Sequence, residues 1–177
     1  MAAYPQHLIR ERRLANGHTV VIRPIRAEDE AGERRFFEDL SPETRRLRFM
    51  KFVREVGEPL IRRFTRLDYE TSMAFVCEAT VEGEPRIVGE ARYAAIADSR
   101  SCEFAVVVAD AWRRSGIAGL LMEALMRTAR EHGYETMEGL VLRENAAERR
   151  FARALGFEEF RVAGDATAVR VAKKLNL

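Results

Sequence analysis

The chain has 177 residues, of which 47% are hydrophobic and 33% charged. That is the length and balance of a single folded domain with a real core, and it excludes a disordered segment. The formal net charge is only +2, although 27 of the cations are Arg (30 Lys+Arg less Lys51, Lys173 and Lys174), so charge by itself argues for no nucleic-acid partner. Cys77 and Cys102 both fall in apolar runs. They offer neither a disulfide framework nor a metal-ligand spacing, so two reduced core thiols and no metal are expected. No apolar stretch is long enough to span a membrane, and MAAYPQHLIRERRL lacks the apolar segment of a secretory signal. A cytoplasmic protein with no membrane partner is therefore expected.

In chain order, residues 1–16 read as a loose arm or an extra edge strand, closed by the turn signal Asn16-Gly17. HTVVIRPI (18–25) is a β-branched run and predicts a strand. Ala27 to Leu40 predicts a helix anchored by Phe36, Phe37 and Leu40. Ser41-Pro42-Glu43 starts another: Ser caps, Pro suits the first turn and Glu meets the positive helix end. A short helix is expected from Glu58 to Arg66. Residues 73–81 and 86–96 predict a hairpin about Glu82-Gly83-Glu84-Pro85. CEFAVVVA (102–109) predicts a central strand covered on both faces. From Gly116 to Glu131, apolar Ile117, Leu120, Leu121, Ala124 and Leu125 recur at helical spacing. A strand (135–143), a helix (145–156) ended by Gly156, and two strands around Gly164-Asp165 complete the order. The fold class is mixed α/β, a mostly antiparallel central sheet flanked by helices, in one domain over 1–177 with its core at about 18–175.

The segment VVVADAWRRSGIAGLLMEAL (106–125) carries the chemistry. A buried strand ends, a short loop follows, and a helix starts at a glycine. Unpaired N–H groups and the dipole of a helix N-terminus favour an anion. Gly116 and Ala118 keep bulk away from the backbone, and Arg113 and Arg114 add positive charge. This reads as a pyrophosphate cradle; the loop alone also reads as a plain strand–helix turn. A P-loop would need a Lys that is absent, and SGIAG does not supply a dinucleotide fingerprint.

Strand, R-x-x-G-x-A loop, amphipathic helix, strand, then Asn145 opening a helix that ends Leu155-Gly156-Phe157: in this order the chain resembles the GNAT acetyltransferase superfamily over about residues 18–175. The resemblance implies that Ser115, Gly116, Ile117, Ala118 and Gly119 hold the pyrophosphate of acetyl-CoA with Arg113 and Arg114. It implies that Val106 and Val108 offer backbone groups to pantetheine, and that Asn145 touches the same cofactor. VVIRPIRAEDE (20–30), Leu40-Ser41, RLRF (46–49) and CEFAVVV (102–108) are further similar to the acetyltransferase domain of bacterial Pat-type protein lysine acetyltransferases. The implied acceptor is then an amine on a protein lysine, such as one of an acyl-CoA synthetase. A small-molecule amine acceptor and a non-catalytic acyl-CoA-binding module are the alternatives.

An amine arrives mostly as ammonium and must lose a proton before it attacks a thioester. A carboxylate in an apolar site can serve as general base. Glu103, at the head of the central strand, is the candidate, and it is the base in the Pat-type pattern; Glu90 is next. The Val106 N–H is the candidate oxyanion donor. The family's tyrosine seven residues after the Asn, which protonates the departing thiolate, is replaced by Ala152, leaving water, Tyr93 or Tyr134 as substitutes. His7, His18 and His132 share no ligand spacing, and Trp112 reads as a packing anchor. The basic run 45–54 reads as a solvated helix face with Leu47, Phe49 and Phe52 turned inward, or as a surface for an acidic partner or the cofactor's 3′-phosphate. Glu138 and Glu144 receive no role.

Overall fold

The computed structural model describes residues 2–51 and 53–175. One eight-stranded sheet runs through it, in the order β1-β2-β3-β4-β5-β6-β8-β7. The strands are β1 (Arg10–Arg13), β2 (Thr19–Pro24), β3 (Ser72–Val81), β4 (Glu84–Ala95), β5 (Ser101–Val108), β6 (Thr136–Leu142), β7 (Glu158–Val162) and β8 (Asp165–Lys174). Every neighbouring pair is antiparallel except β5 and β6. That one parallel pair needs a crossover, which is the long helix α4 (Ile117–Glu131). The other helices are α1 (Glu30–Asp39), α2 (Pro42–Phe49), α3 (Glu58–Thr65) and α5 (Ala146–Ala154).

The two faces of the sheet are covered by different helices. Even-numbered side chains of β5, such as Cys102 and Phe104, pack with Leu121, Met122 and Leu125 of α4. Odd-numbered Val107 packs on the opposite face with Phe36 and Phe37 of α1 and Ile61 of α3. Phe37 is fully buried, so Phe37→Ala would cost about 3–5 kcal/mol through lost contacts and a residual cavity. The continuous apolar run of β5 follows from its position between these two layers.

The N-terminal segment is an edge strand: Arg10–Arg13 pairs with Thr19–Ile22. All four of its residues are exposed, so no apolar alternation marks it in the sequence. The basic run departs further from expectation. Arg46 and Arg48 are largely covered, not solvated, and Leu47 faces a cleft described below; Phe49 is turned inward as expected, packing with Phe37 and stacking on Phe64. Phe52 lies outside the described residues. Both cysteines are buried free thiols, and burial pushes each up to about 12. Among the described residues no helix is long and apolar enough to cross a membrane.

Candidate functional site

The site begins where the sheet comes apart. β5 and β6 pair only from Ser101↔Thr136 to Glu103↔Glu138. At the next step Phe104 takes the space beside Gly139, where a Cβ would come within 2.8 Å of the Phe104 ring. Only glycine admits that wedge, and beyond it the two strands diverge. Backbone alternation then decides which groups are left facing the opening. Ala109 N–H donates to Val88 (2.8 Å) and Ile96 N–H to Ser101 (2.9 Å), so odd-numbered backbone groups of β5 face β4. The N–H and C=O groups of Val106 and Val108 therefore face the gap.

Directly after β5 comes the loop. Gly116 has φ +90°, a left-handed conformation that glycine adopts without steric cost and that swings the chain into α4. No side chain caps α4, and its first turn carries no acidic residue. The first i→i−4 bond runs from Leu120 N–H to Gly116 (3.2 Å). That leaves the N–H groups of Ile117, Ala118 and Gly119 at the positive end of a 15-residue helix. Cβ atoms built on Gly116 or Gly119 would meet nothing within 4 Å, so open space lies against this backbone.

The loop is held in place from α2. Ser41 N–H (3.0 Å) and Oγ (3.1 Å) and Thr44 Oγ1 (2.7 Å) all donate to Asp110. Burial pushes the Asp110 carboxyl up, but these hydrogen bonds hold it below its ordinary value. Arg113 donates to Thr44 Oγ1 (2.5 Å) and pairs with Asp110 (3.3 Å), so part of its donor capacity braces the loop. Ser115 Oγ donates to the Trp112 carbonyl (2.5 Å), which leaves its backbone as the group able to meet a ligand. Trp112 packs edge-on against His18, with ring centroids 5.1 Å apart.

Val106, Val108, Arg113 through Gly119 and Asn145 all line one cleft of about 610 Å³, together with Thr44 and Leu47 of α2 and Glu148 and Phe151 of α5. Thus the sequence-predicted cofactor residues converge. Glu103 stands apart, exposed on the rim of a second cavity of about 640 Å³ bounded by Phe64, Leu67, Asp68, Arg92 and Tyr93. The surroundings expected for it are only partly apolar: Phe64, Leu67 and Phe104 line this cavity, but it opens to solvent and carries Arg63, Arg66 and Asp68 as well. The two cavities meet along β5: Ala105 lines one and Val106 the other.

The sequence profile described as the acetyltransferase (GNAT) family matches residues 34–157. The chain belongs to the GNAT acetyltransferase family. It is 40% identical over 156 residues to an acetyltransferase of Pseudomonas aeruginosa, covering 88% of this chain and 84% of that one. It is similar in structure to the GNAT domain of S. lividans PAT, with a TM-score of 0.87, 26% identity, and 97% and 99% of the two chains covered. A cAMP-binding acyltransferase from Mycobacterium smegmatis shares the fold at a TM-score of 0.63 and 22% identity; 96% of this chain superposes on 48% of that one. As a GNAT protein, the chain is an acetyl-CoA-dependent N-acetyltransferase that acts on an amine.

The cleft fits a GNAT acyl donor: uncapped first-turn N–H groups beside open space suit a pyrophosphate, and the gap-facing groups of β5 suit an extended arm with amides. Ala152, where the family's tyrosine would stand, is buried in the core. Neither suggested substitute lines the cleft. Tyr93 OH bonds His132 Nδ1 (2.8 Å) and the Glu70 carbonyl (3.3 Å), and Tyr134 OH also reaches Glu70 (3.3 Å). Burial raises both phenols above their ordinary value.

Glu90, the reserve candidate for the base, is fully buried under the sheet. Arg92 Nε donates to it (2.8 Å), Arg48 lies 3.9 Å away, and Arg92 also reaches Glu33 (3.4 Å). No acceptor amine can reach it there. Burial and the neighbouring Glu90 raise Glu33 well above its ordinary value, while Arg92 and Arg48 hold Glu90 ionised against its own burial. This four-residue cluster was missed from sequence, as was Glu148.

Proposed function

We propose that the acceptor is a lysine side chain of a protein, with an acyl-CoA synthetase as the partner class, and that the enzyme acts in the cytoplasm. The observation that carries this reading is the near-complete superposition on the GNAT domain of PAT, joined to the Pat-type sequence resemblance. The exposed, solvent-open acceptor cavity around Glu103 supports it, since a lysine on a folded protein needs an entrance rather than an enclosure.

In this reading acetyl-CoA supplies the activated acyl group. The N–H groups of Ile117, Ala118 and Gly119 hold its pyrophosphate, with Ser115 and Gly116 shaping the loop and Arg113 and Arg114 adding charge. Val106 and Val108 pair with the pantetheine arm, and Asn145 closes the opposite wall. Val106 N–H donates to the acyl oxygen as it gains charge. Glu103 takes the proton from the ammonium. It lies three residues before Val106, about 10 Å along an extended strand, so the transfer runs through water from the rim of the acceptor cavity.

The test is mass spectrometry of a lysate of the source cell incubated with enzyme and acetyl-CoA. Discrete acetyl-lysine sites above the chemical background, lost with Glu103→Gln, are expected. Transfer only to polyamines, amino acids or drugs would overturn the protein acceptor in favour of a small-molecule one. Coenzyme A binding without turnover on any amine would overturn catalysis altogether.

A further inference from the structure

Glu148 occupies an unusual place for a first-turn helix glutamate. In the sequence N-x-x-E a capping box would turn its carboxyl back to the N-cap N–H, but the Asn145 N–H donates instead to the Leu142 carbonyl (2.9 Å). The half-buried carboxyl lines the cleft with Val106, Val108, Leu47 and Phe151. Asn145 Oδ1 accepts the Glu148 N–H (3.2 Å), which fixes the amide so that Nδ2 donates to Glu148 Oε2 (2.8 Å). An oxygen that accepts an amide N–H is the poorer site for a proton, so the proton of the neutral acid sits on Oε1. Ala152 brings no hydroxyl to this wall.

We infer that Glu148 is the proton donor to the sulfur of departing coenzyme A. The inference rests on the reading of this cleft as the acyl-CoA site. As the amine adduct collapses, the C–S bond breaks and its electron pair goes to sulfur. The Oε1 proton passes to that sulfur, giving free thiol, and the carbonyl of the new amide re-forms. Glu148 is left as a carboxylate, which solvent reprotonates before the next turnover. The proton lost by the amine leaves separately, by way of Glu103.

The surroundings suit both charge states. Burial pushes Glu148 up to about 7, against the pull of Arg48 from α2. The neutral acid is thus well populated near neutral pH, and its proton affinity lies close to that of a thiol, about 8.5 when unperturbed, so transfer in either direction is nearly level. The charge of Arg48 then favours the carboxylate that remains. Asn145 at the cap of its own helix, Thr44 on α2, and Trp112, Arg113, Arg114 and Ser115 of the loop are the other residues with polar side-chain groups in this cleft.

The experiment titrates the thiol of coenzyme A bound to the whole chain, by thiolate absorbance against pH. In the unaltered protein Glu148 ionises before the thiol, and the adjacent carboxylate holds the thiol pKa up. With Glu148→Gln, or Glu148→Ala where Gln disturbs folding, the bound thiol pKa should drop by about one unit, with coenzyme A affinity retained. Acetyl-CoA turnover on the acceptor lysine should fall roughly 100-fold at neutral pH. An unchanged thiol titration would overturn the inference and leave the cleft assignment standing. Failure of the unaltered protein to bind coenzyme A would overturn the cleft assignment and the inference with it.

Discussion

Arg46 of α2 and Glu144, in the turn between β6 and α5, form an ion pair of 2.6 Å across the mouth of the opening between β5 and β6. The neighbours of Arg46, Thr44 and Leu47, line one wall of the cleft, and Asn145, next to Glu144, lines the other. The pair therefore ties the two walls together at the rim. Its worth is limited because Glu144 is exposed, and solvent screens such a pair. Glu144→Gln should speed coenzyme A dissociation by about 1.5–5-fold at low salt, with the difference shrinking as salt screens the pair. Stopped-flow displacement at two ionic strengths checks this; a salt-independent effect would point to packing instead.

The cradle is best probed at Gly119. At Gly116 any side chain is strained by φ +90°, so a loss of binding there mixes backbone strain with blockage. Gly119 has helical geometry inside α4, and a Cβ on it meets nothing within 4 Å. Gly119→Val should keep its melting temperature, since Val is no worse than Gly in a helix. It should weaken coenzyme A binding by at least about tenfold, because a branched side chain then stands where the pyrophosphate would meet the backbone. Calorimetric titration of a variant confirmed as folded is the measurement, and unchanged affinity would remove the first turn of α4 from the site.

Glu103→Gln keeps the shape of the side chain and removes its basicity. Turnover should fall by roughly 10²–10⁴, with coenzyme A affinity nearly unchanged because Glu103 lies outside the cofactor cleft. The loss should shrink as pH approaches the amine's own pKa, where free amine becomes abundant. A pH–rate comparison of the two proteins decides it. A constant ratio across pH would make Glu103 a positioning residue for the acceptor and not its base.

The sheet and helices were legible because apolar spacing marks an element packed on another. The strand–glycine–helix turn was legible from Gly116 standing between a buried strand and an amphipathic helix; its reading as a cradle rests on the order of the elements around it, since the loop alone fits a plain turn equally well. β1 was open between arm and strand because RERR is exposed throughout. Arg48 was misread for a different reason: a basic run normally faces water, and only the fold brings Glu90 and Glu33 beneath it. Glu148 was hidden by a respectable local pattern, since an acid three residues after an N-cap Asn already has a structural explanation. The splay between β5 and β6 is a tertiary property; Gly139 shows its cause only once Phe104 is seen against it.

The buried pair Glu33 and Glu90 predicts how stability depends on pH. Glu33 Oε2 and Glu90 Oε2 are both buried without a hydrogen-bond partner when both carboxyls are charged, and a proton on Glu33 joins them. Arg92 and Arg48 keep Glu90 as the ionised member, so Glu33 holds the proton in the folded state. In the unfolded chain Glu33 ionises near its ordinary value of 4.5. As pH rises through that value, the unfolded state releases its proton and the folded state keeps its own. The folded state is then disfavoured by up to about 1.4 kcal/mol per pH unit until Glu33 titrates in place. The contribution is thus fully present below 4.5 and lost above it, the reverse of a salt-bridged carboxylate. Glu33→Gln mimics the protonated acid and offers an amide N–H to Glu90. Its stability relative to the unaltered protein should therefore improve as pH rises from 4.5 toward neutrality, whatever the offset at low pH. Urea unfolding of both proteins across that range is the check, and parallel stability curves would mean that Glu33 is ionised in the fold.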